Sequence, residues 1–257
     1  MGKLDTDIVR FIADLKKWDH KKKGLGNFNI INMYNDTYVG KDNAKIRRDN
    51  LFFYLEKMKG LKPSRLFVGI APGRNGCFLT GIPFTDIYTF RKNSFFEERK
   101  AKLNKKKLEQ LIAESKDISS KSKDISTKVW ERLKLLREKK LKLPLLWNIY
   151  PFQPLEDDAK KNRDPNEVER KIGITFLFKL LECFDIKEIY PLGKVAMKTL
   201  EENFPLIGHS LRHPSNDTEE DFIKQFNEIY QIETDESEEF DEPKESDESG
   251  ESEDSEE

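Results

Sequence analysis

Residues 66–86 read Leu-Phe-Val-Gly-Ile-Ala-Pro-Gly-Arg-Asn-Gly-Cys-Phe-Leu-Thr-Gly-Ile-Pro-Phe-Thr-Asp. The run Leu66–Ile70 is apolar and of strand length, which is typical of a strand buried on both faces of a parallel sheet. Glycines and prolines follow it; glycine lets backbone approach a ligand closely, and proline stiffens the loop. Open α/β sheets bind ligands at the carboxyl ends of their strands. We therefore predict a central strand followed by a binding loop, with an ordinary turn-rich connection as the alternative.

The remainder of the chain alternates apolar runs of strand length with amphipathic runs of helix length. Further strands are predicted at 143–149, 186–192 and 206–210, and helices at about 4–18, 44–59, 167–183, 194–203 and 218–231. This alternation predicts an α/β fold, specifically a three-layer α/β/α sandwich with a central, mainly parallel, four-stranded sheet.

Residues 95–142 are dominated by lysine, arginine and glutamate. We interpret them as an insertion of two charged helices, broken near Ser115–Thr127. A solvated face is the first interpretation of such a charge pattern, and a basic arm that contacts DNA is the alternative.

Charge is divided unevenly along the chain. Residues 233–257 contain fifteen acids and one base, a net charge of −14. Since the whole chain has a net charge of −2, residues 1–232 carry a net charge of +12. We predict one domain over residues 1–232 and a disordered acidic tail over 233–257, because the tail cannot bury enough apolar surface to order itself. A basic body suits a polyanionic partner, and the tail could recruit a protein partner.

Other classes of protein are disfavoured by composition. No run of 18 apolar residues and no signal-peptide h-region occur, so we expect a monomer in the cytoplasm or nucleus with no membrane partner. The two cysteines, Cys77 and Cys183, are far apart, which excludes a disulfide framework or a four-cysteine cluster built by this chain alone.

The spacing Gly69-x-x-Pro72-Gly73-x-x-Gly76-x-x-x-Thr80-Gly81-x-Pro83-Phe84 resembles the first motif of the uracil-DNA glycosylase superfamily. The resemblance is closest to its single-strand-selective monofunctional branch. Further matching pieces follow the other predicted strands: Trp147-Asn148-Ile149-Tyr150-Pro151, Asn162-Arg163-x-Pro165-x-Glu167, Pro191-Leu192-Gly193-Lys194 and His213-Pro214-Ser215. The resemblance covers about residues 44–231.

The resemblance implies a monofunctional glycosylase that excises uracil or a related damaged pyrimidine from single-stranded or destabilised DNA, with no cofactor and no metal. Asn148 would read the base edge, Phe84 would stack on the base, and His213 would hydrogen-bond O2 of the leaving base, with His209 as a weaker rival. The loop residues Gly69, Ile70 and Ala71 would complete the substrate-binding site. Each role has a structural alternative: a strand-end cap for Asn148, core packing for Phe84, and a structural histidine at 213.

The chain departs from the superfamily at the group that positions water. Branches of the superfamily carry an asparagine or an acid where this chain has Ala71 or Ile70, and Asp86 is the substitute we predict as catalytic. The loop after Ser215 is short and acidic, and Leu211 or Arg212 would fill the space left by an extruded base. Two alternatives to an enzyme remain: a glycosylase fold that binds DNA without turnover, and an interaction protein that acts through its charged segments.

Overall fold

The computed structural model of the protein describes residues 5–23, 29–74, 76–103, 109, 125–156, 161–204, 208–215 and 218–233. The predicted disordered tail lies outside the described residues except for Glu233. Residues 104–108 and 110–124 of the charged insertion also lie outside the described residues, as do residues 206–207 of the predicted fourth strand.

Two small sheets form among the described residues. The strands are β1 (Ile30–Ile31), β2 (Arg65–Gly69), β3 (Leu145–Asn148), β4 (Gln153–Pro154) and β5 (Glu188–Pro191). The central sheet is parallel with strand order β3-β2-β5, and β1 pairs with β4 in an antiparallel pair. The three central strands were predicted from their apolar runs, whereas the β1–β4 pair was not.

Helices and short turns of helix surround this sheet. The described α-helices are α1 (Thr6–Lys17), α2 (Asp36–Val39), α3 (Lys41–Leu61), α4 (Cys77–Thr80), α5 (Ile87–Lys92), α6 (Glu97–Ala101), α7 (Ile125–Glu138), α8 (Glu167–Leu181), α9 (Lys194–Glu201) and α10 (Glu219–Tyr230). Side chains fix where several of them begin. Asp5 accepts hydrogen bonds from the first turn of α1, and Asn166 with Glu169 forms a capping box at α8.

Helices cover both faces of the central sheet. Successive side chains of β2 and β3 point to opposite faces, so Phe67 and Trp147 contact different helices. Phe67 contacts the rings of Phe226 and Tyr230 in α10 at centroid distances of 5.9 and 6.4 Å. On the other face, Trp147 contacts Phe11 of α1 at 5.3 Å. Helices therefore lie on the two sides of a parallel sheet, as the α/β prediction requires.

The predicted fourth strand is not confirmed. Residues 208–210 are not in a strand, although the amide of Gly208 donates to the carbonyl of Ile189 at 2.9 Å, and Leu211 forms a parallel bridge with Leu192 beside β5. The amide of Leu211 donates to the carbonyl of Pro191 at 2.9 Å. A second bridge, at Tyr190, would need an N–H at position 191, and proline has none. Among the described residues the central sheet therefore contains three strands, with a single bridge at its edge.

The interpretation of 95–142 as a solvated insertion is wrong for its second half. In α7, the side chains of Val129, Trp130, Leu133 and Leu136 are all at most 3% exposed. The apolar residues are few but share one side of the helix, and that side packs into the core. The indole of Trp130 contacts the rings of Phe95 and Phe96 at 5.1 and 4.8 Å.

None of the described helices is long and apolar enough to span a membrane. The two cysteines, Cys77 and Cys183, are both free and buried.

Helix α8 sets the position of the chain just after β3 through a close contact at Gly173. A Cβ built there would lie 2.3 Å from the carbonyl oxygen of Ile149. We expect Gly173→Ala to lower the free energy of unfolding by about 1–3 kcal/mol, because backbone must shift to admit the methyl group. Urea denaturation measures this change.

Gly60 provides the matched control, since it also lies within a helix but a Cβ there meets nothing within 4 Å. Gly60→Ala should leave stability unchanged or raise it by up to about 1 kcal/mol through its better helix propensity. Equal effects of the two substitutions would contradict the packing argument.

Candidate functional site

The sheet brings the candidate residues to one edge. Gly69 and Asn148 are register partners at the carboxyl ends of β2 and β3. On the other side of β2, the Leu192–Leu211 bridge lies just beyond β5, and His213 follows two residues later. With neighbouring strands about 4.8 Å apart, roughly 14–15 Å separates the Asn148 backbone from that of Leu211. Asn148 and His213 therefore flank the same edge from two sides.

Asn148 lines a narrow recess that, in this conformation, has no room for a water molecule. The recess is lined by Tyr34, Pro72, Cys77, Pro83, Trp147, Asn148 and Pro151. The amide Nδ2 of Asn148 lies 3.9 Å from Cys77 Sγ, a weak acceptor, and the side chain is buried. Burial raises the pKa of the Cys77 thiol, which stays protonated at neutral pH. Among the described residues no donor reaches the amide oxygen of Asn148, which lies against Gly69.

Phe84 meets Asn148 over Gly69. A Cβ built at Gly69 would lie 2.5 Å from Phe84 Cζ and 2.9 Å from Asn148 Oδ1. The aromatic edge and the amide therefore both lie against the bare Cα of one residue. The structure brings together Gly69, Phe84 and Asn148, three of the predicted site residues.

A network of hydrogen bonds holds Phe84 in the left-handed backbone conformation, with φ of +52°. The Thr80 hydroxyl donates to the carbonyl of Thr85 at 2.6 Å and accepts from the amide of Ile82 at 3.1 Å. The indole N–H of Trp130 lies 3.1 Å from the Phe84 carbonyl and 3.0 Å from the Thr85 hydroxyl. These bonds offset the strain that a non-glycine residue carries at positive φ.

Trp130 was missed by the sequence analysis because it lies in the segment interpreted as solvated. The available signal was a tryptophan at helical spacing from Leu133 and Leu136. The spacing indicates a buried stripe even where most neighbours are charged.

Ile70 and Ala71 are half-buried and contribute apolar side chains to the loop after β2. The backbone here is tied to the loop after β3: the amide of Ile149 donates to Gly69 O at 2.8 Å, and that of Tyr150 to Ile70 O at 2.9 Å. No carboxylate lines the recess of Asn148. The side chain of Ala71 is a methyl group, which cannot position water by a hydrogen bond.

Asp86, the predicted substitute, is the N-cap of α5. Its carboxylate accepts a hydrogen bond of 2.6 Å from the amide of Thr89, and the side chain is 4% exposed. It does not line the recess of Asn148. These contacts favour a structural role for Asp86, since a capping aspartate stabilises a helix start.

His213 is half-buried beside Gly193, where a Cβ would lie 3.6 Å from His213 Cβ. Its carbonyl accepts hydrogen bonds from the amide of Ser215, at 2.8 Å, and from the hydroxyl of Thr218. Its ring makes no hydrogen bond with the residues the structure describes. Burial lowers the pKa of His213, so its imidazole is neutral at pH 7 and has one N–H to donate. His209, the rival, is exposed.

Of the two residues predicted to fill the space of an extruded base, one is buried and the other is exposed. Leu211 is 1% exposed and belongs to the core. Arg212 is exposed, with its Nε 3.4 Å from the Asp221 carboxylate. Residues 216–217 of the acidic loop lie outside the described residues.

The stretch Asn162–Glu167 contacts the loop after β2. Asn162 Nδ2 donates to the carbonyl of Pro72 at 3.2 Å, which joins this stretch to the loop after β2. Arg163 donates from both terminal nitrogens to the two carboxylate oxygens of Glu169, at 2.6 and 2.7 Å. Glu169 is fully buried, whereas Glu167, the acid quoted in the motif, is exposed. The motif therefore supports the loop through residues that do not line the recess.

The described residues contain no group of three or more histidine, cysteine, aspartate or glutamate side chains that could hold a metal ion.

Comparison with known proteins gives a structural likeness. No family model and no curated protein matches the chain. Wild-type SMUG2 of Pedobacter heparinus matches in structure with a TM-score of 0.54 and 17% identity, over 88% of this chain and 97% of that chain. The likeness shows that this chain shares the fold of that protein.

The burial of His213 predicts a low titration midpoint. Because burial disfavours the imidazolium, the folded pKa falls below the ordinary value of 6.5. The stability contribution of the neutral ring is then present above pH 6.5 and is lost as the pH falls through the folded pKa. An NMR titration of the three histidines, with His213→Gln to assign the signal, measures the midpoint. A midpoint at or above 6.5 would contradict the burial argument.

Proposed function

We propose that this protein is a monofunctional DNA glycosylase that hydrolyses the N-glycosidic bond of uracil, or of a related damaged pyrimidine, in single-stranded or locally opened DNA. The observation that carries the proposal is the meeting of the Phe84 ring and the Asn148 amide over Gly69. A base taken out of the stack is read by hydrogen bonds to its edge and by stacking on a ring, and these two side chains supply both.

Asn148 is suited to read uracil because an amide accepts and donates at adjacent positions. Its Oδ1 would accept from N3–H and its Nδ2 would donate to O4, whereas cytosine presents an acceptor and a donor in the opposite order. The contact between Nδ2 and Cys77 Sγ favours one orientation of the amide. The site thereby discriminates between bases by leaving a buried polar group unpaired with the wrong one.

His213 would act on the leaving group. Cleavage releases the base as an anion, with charge developing at O2, while the sugar gains oxocarbenium character. A neutral imidazole N–H at the opposite side of the edge would stabilise that charge as an oxyanion donor does. Since the charge appears only as the bond breaks, this interaction lowers the barrier more than it strengthens binding.

A DNA-binding protein without turnover is the second candidate, and two observations favour it. No carboxylate lines the recess of Asn148, and Asp86 is engaged as the cap of α5. Such a protein would retain the stacking ring and the base-reading amide but would lack a group to activate water.

Base choice tests the role of Asn148. Asn148→Asp removes the amide donor, so we expect the ratio of uracil to cytosine excision to fall, while affinity for undamaged DNA changes less. Excision assays on single strands that differ only at the target base measure the ratio. Asn203→Asp is the control, because Asn203 is exposed at the far end of α9. An unchanged ratio would remove Asn148 from the proposal.

Single-turnover rates separate enzyme from binder. His213→Ala should slow excision by about 100–1000-fold, the range for loss of one oxyanion donor, with His209→Ala as the exposed control. Asp86→Asn should cost less, since asparagine keeps the cap and removes only the charge. Absence of excision by the wild type, together with excision by Ala71→Asn, would establish the binding protein instead.

A further inference from the structure

A groove between α5 and α7 opens beside the Phe84 loop. Its free volume is about 310 Å³. Tyr88, Lys92, Lys134 and Arg137 are the aromatic and basic residues of its walls, together with the indole of Trp130. Tyr88 is 61% exposed, which is unusual for an aromatic side chain. Neither the resemblance in sequence nor the proposed reaction assigns a role to this groove.

The groove continues into a second one towards the other end of α7. That groove, of about 390 Å³, shares Arg137 and adds Lys57, Lys140 and Lys142. Together the two grooves are lined by six basic residues and by a single acid, Glu131. We call this surface the α7 basic track; it follows a helix of 14 residues, about 21 Å long at 1.5 Å per residue.

Most of the charge on the track is available to a partner. Lys92 forms no ion pair with a described residue, and the Lys134–Glu138 pair is an exposed contact of 3.5 Å that contributes little. Arg137 lies 3.4 Å from the hydroxyl of Ser94. Lys57 is the exception, because it is held by the Phe95 carbonyl at 2.9 Å and by Glu98 at 3.3 Å.

The track is joined to the candidate site through one side chain. The indole of Trp130 lines the groove, and its N–H is directed at Phe84 O and Thr85 Oγ1. A strand whose extruded base lies against Phe84 would therefore enter the groove with its neighbouring nucleotides.

We propose that the α7 basic track binds the single-stranded segment of DNA that flanks the extruded nucleotide, with a base stacked on Tyr88 and phosphates held by Lys92, Lys134 and Arg137. The inference rests on the proposed function for the position of the flipped base, but the binding of strand to the track is separable from excision. An exposed aromatic beside a basic groove is how proteins hold single strands without reading sequence: bases stack on the ring and phosphates follow the charge.

Fluorescence anisotropy with uracil-free oligodeoxythymidylate and the full chain tests the track. Tyr88→Ala should raise Kd about 5-fold or more, whereas Tyr88→Phe should bind like the wild type because it keeps the ring. Lys92→Ala with Lys134→Ala should lower the slope of log K against log salt by about 0.7 for each lysine. Lys171→Ala is the control, since it removes an exposed lysine of α8.

Unchanged affinity and unchanged salt slope in Tyr88→Ala and in the double lysine variant would overturn the proposal. A change of oligomeric mass in these variants, without a change in affinity for the oligonucleotide, would make the groove an interface between copies and would also overturn it. Excision is assayed separately. A wild type that excises nothing, but whose affinity for the strand depends on Tyr88, would remove the proposed function and leave the track in place.

Discussion

The absence of a side chain at Gly69 is the constraint on which the candidate site depends. In the parallel register Gly69 lies directly beside Asn148, and Phe84 returns from fifteen residues along the chain to cover the same Cα. Any Cβ at this position would overlap both groups. The loop that carries Phe84 is under a similar restriction at Gly81, where φ is +77° and a Cβ would lie 2.7 Å from the backbone of Arg47 in α3. Gly69 and Gly81 therefore serve close packing of backbone and ring.

Helix α7 holds the two halves of the site together. At Trp130 it is hydrogen-bonded to the Phe84 loop, and at Lys128 it forms an ion pair of 2.7 Å with Glu219, in the first turn of α10. The side chain of Lys128 is 2% exposed, so this ion pair lies on the buried side of the helix. The Glu219 end of α10 adjoins Thr218, whose hydroxyl donates to the carbonyl of His213. A segment that composition marks as an insertion thus positions both Phe84 and His213.

The parts of the structure that sequence could predict are those with local signals. The apolar runs at 66–70 and 186–192 located buried strands, and the run at 143–149 located the strand that ends at Asn148. The sequence could not exclude the fourth strand. The N–H that Pro191 lacks matters only because this residue faces the predicted fourth strand and not β2, and the sequence does not show which of the two it faces. Trp130 was not identified because charged residues surround it in the sequence. Glu169 was not identified as a partner of Arg163, because the two come together only when the first turn of α8 brings the acid back to the loop. Two-residue strands such as β1 are too short to show any alternation.

Electrostatics argue for a particular division of labour in the proposed reaction. The recess is lined by proline, aromatic and thiol groups, and such a low-dielectric surrounding strengthens a hydrogen bond to a developing anion. The residues that line the recess include no acid that could offset the positive charge on the sugar, and Asp86, the acid predicted for that role, is engaged at a helix start. A site of this composition favours bases that leave easily as delocalised anions, as uracil does, over bases that must be protonated first. The neutral His213 fits that preference, because it can donate a hydrogen bond but holds no additional proton to give.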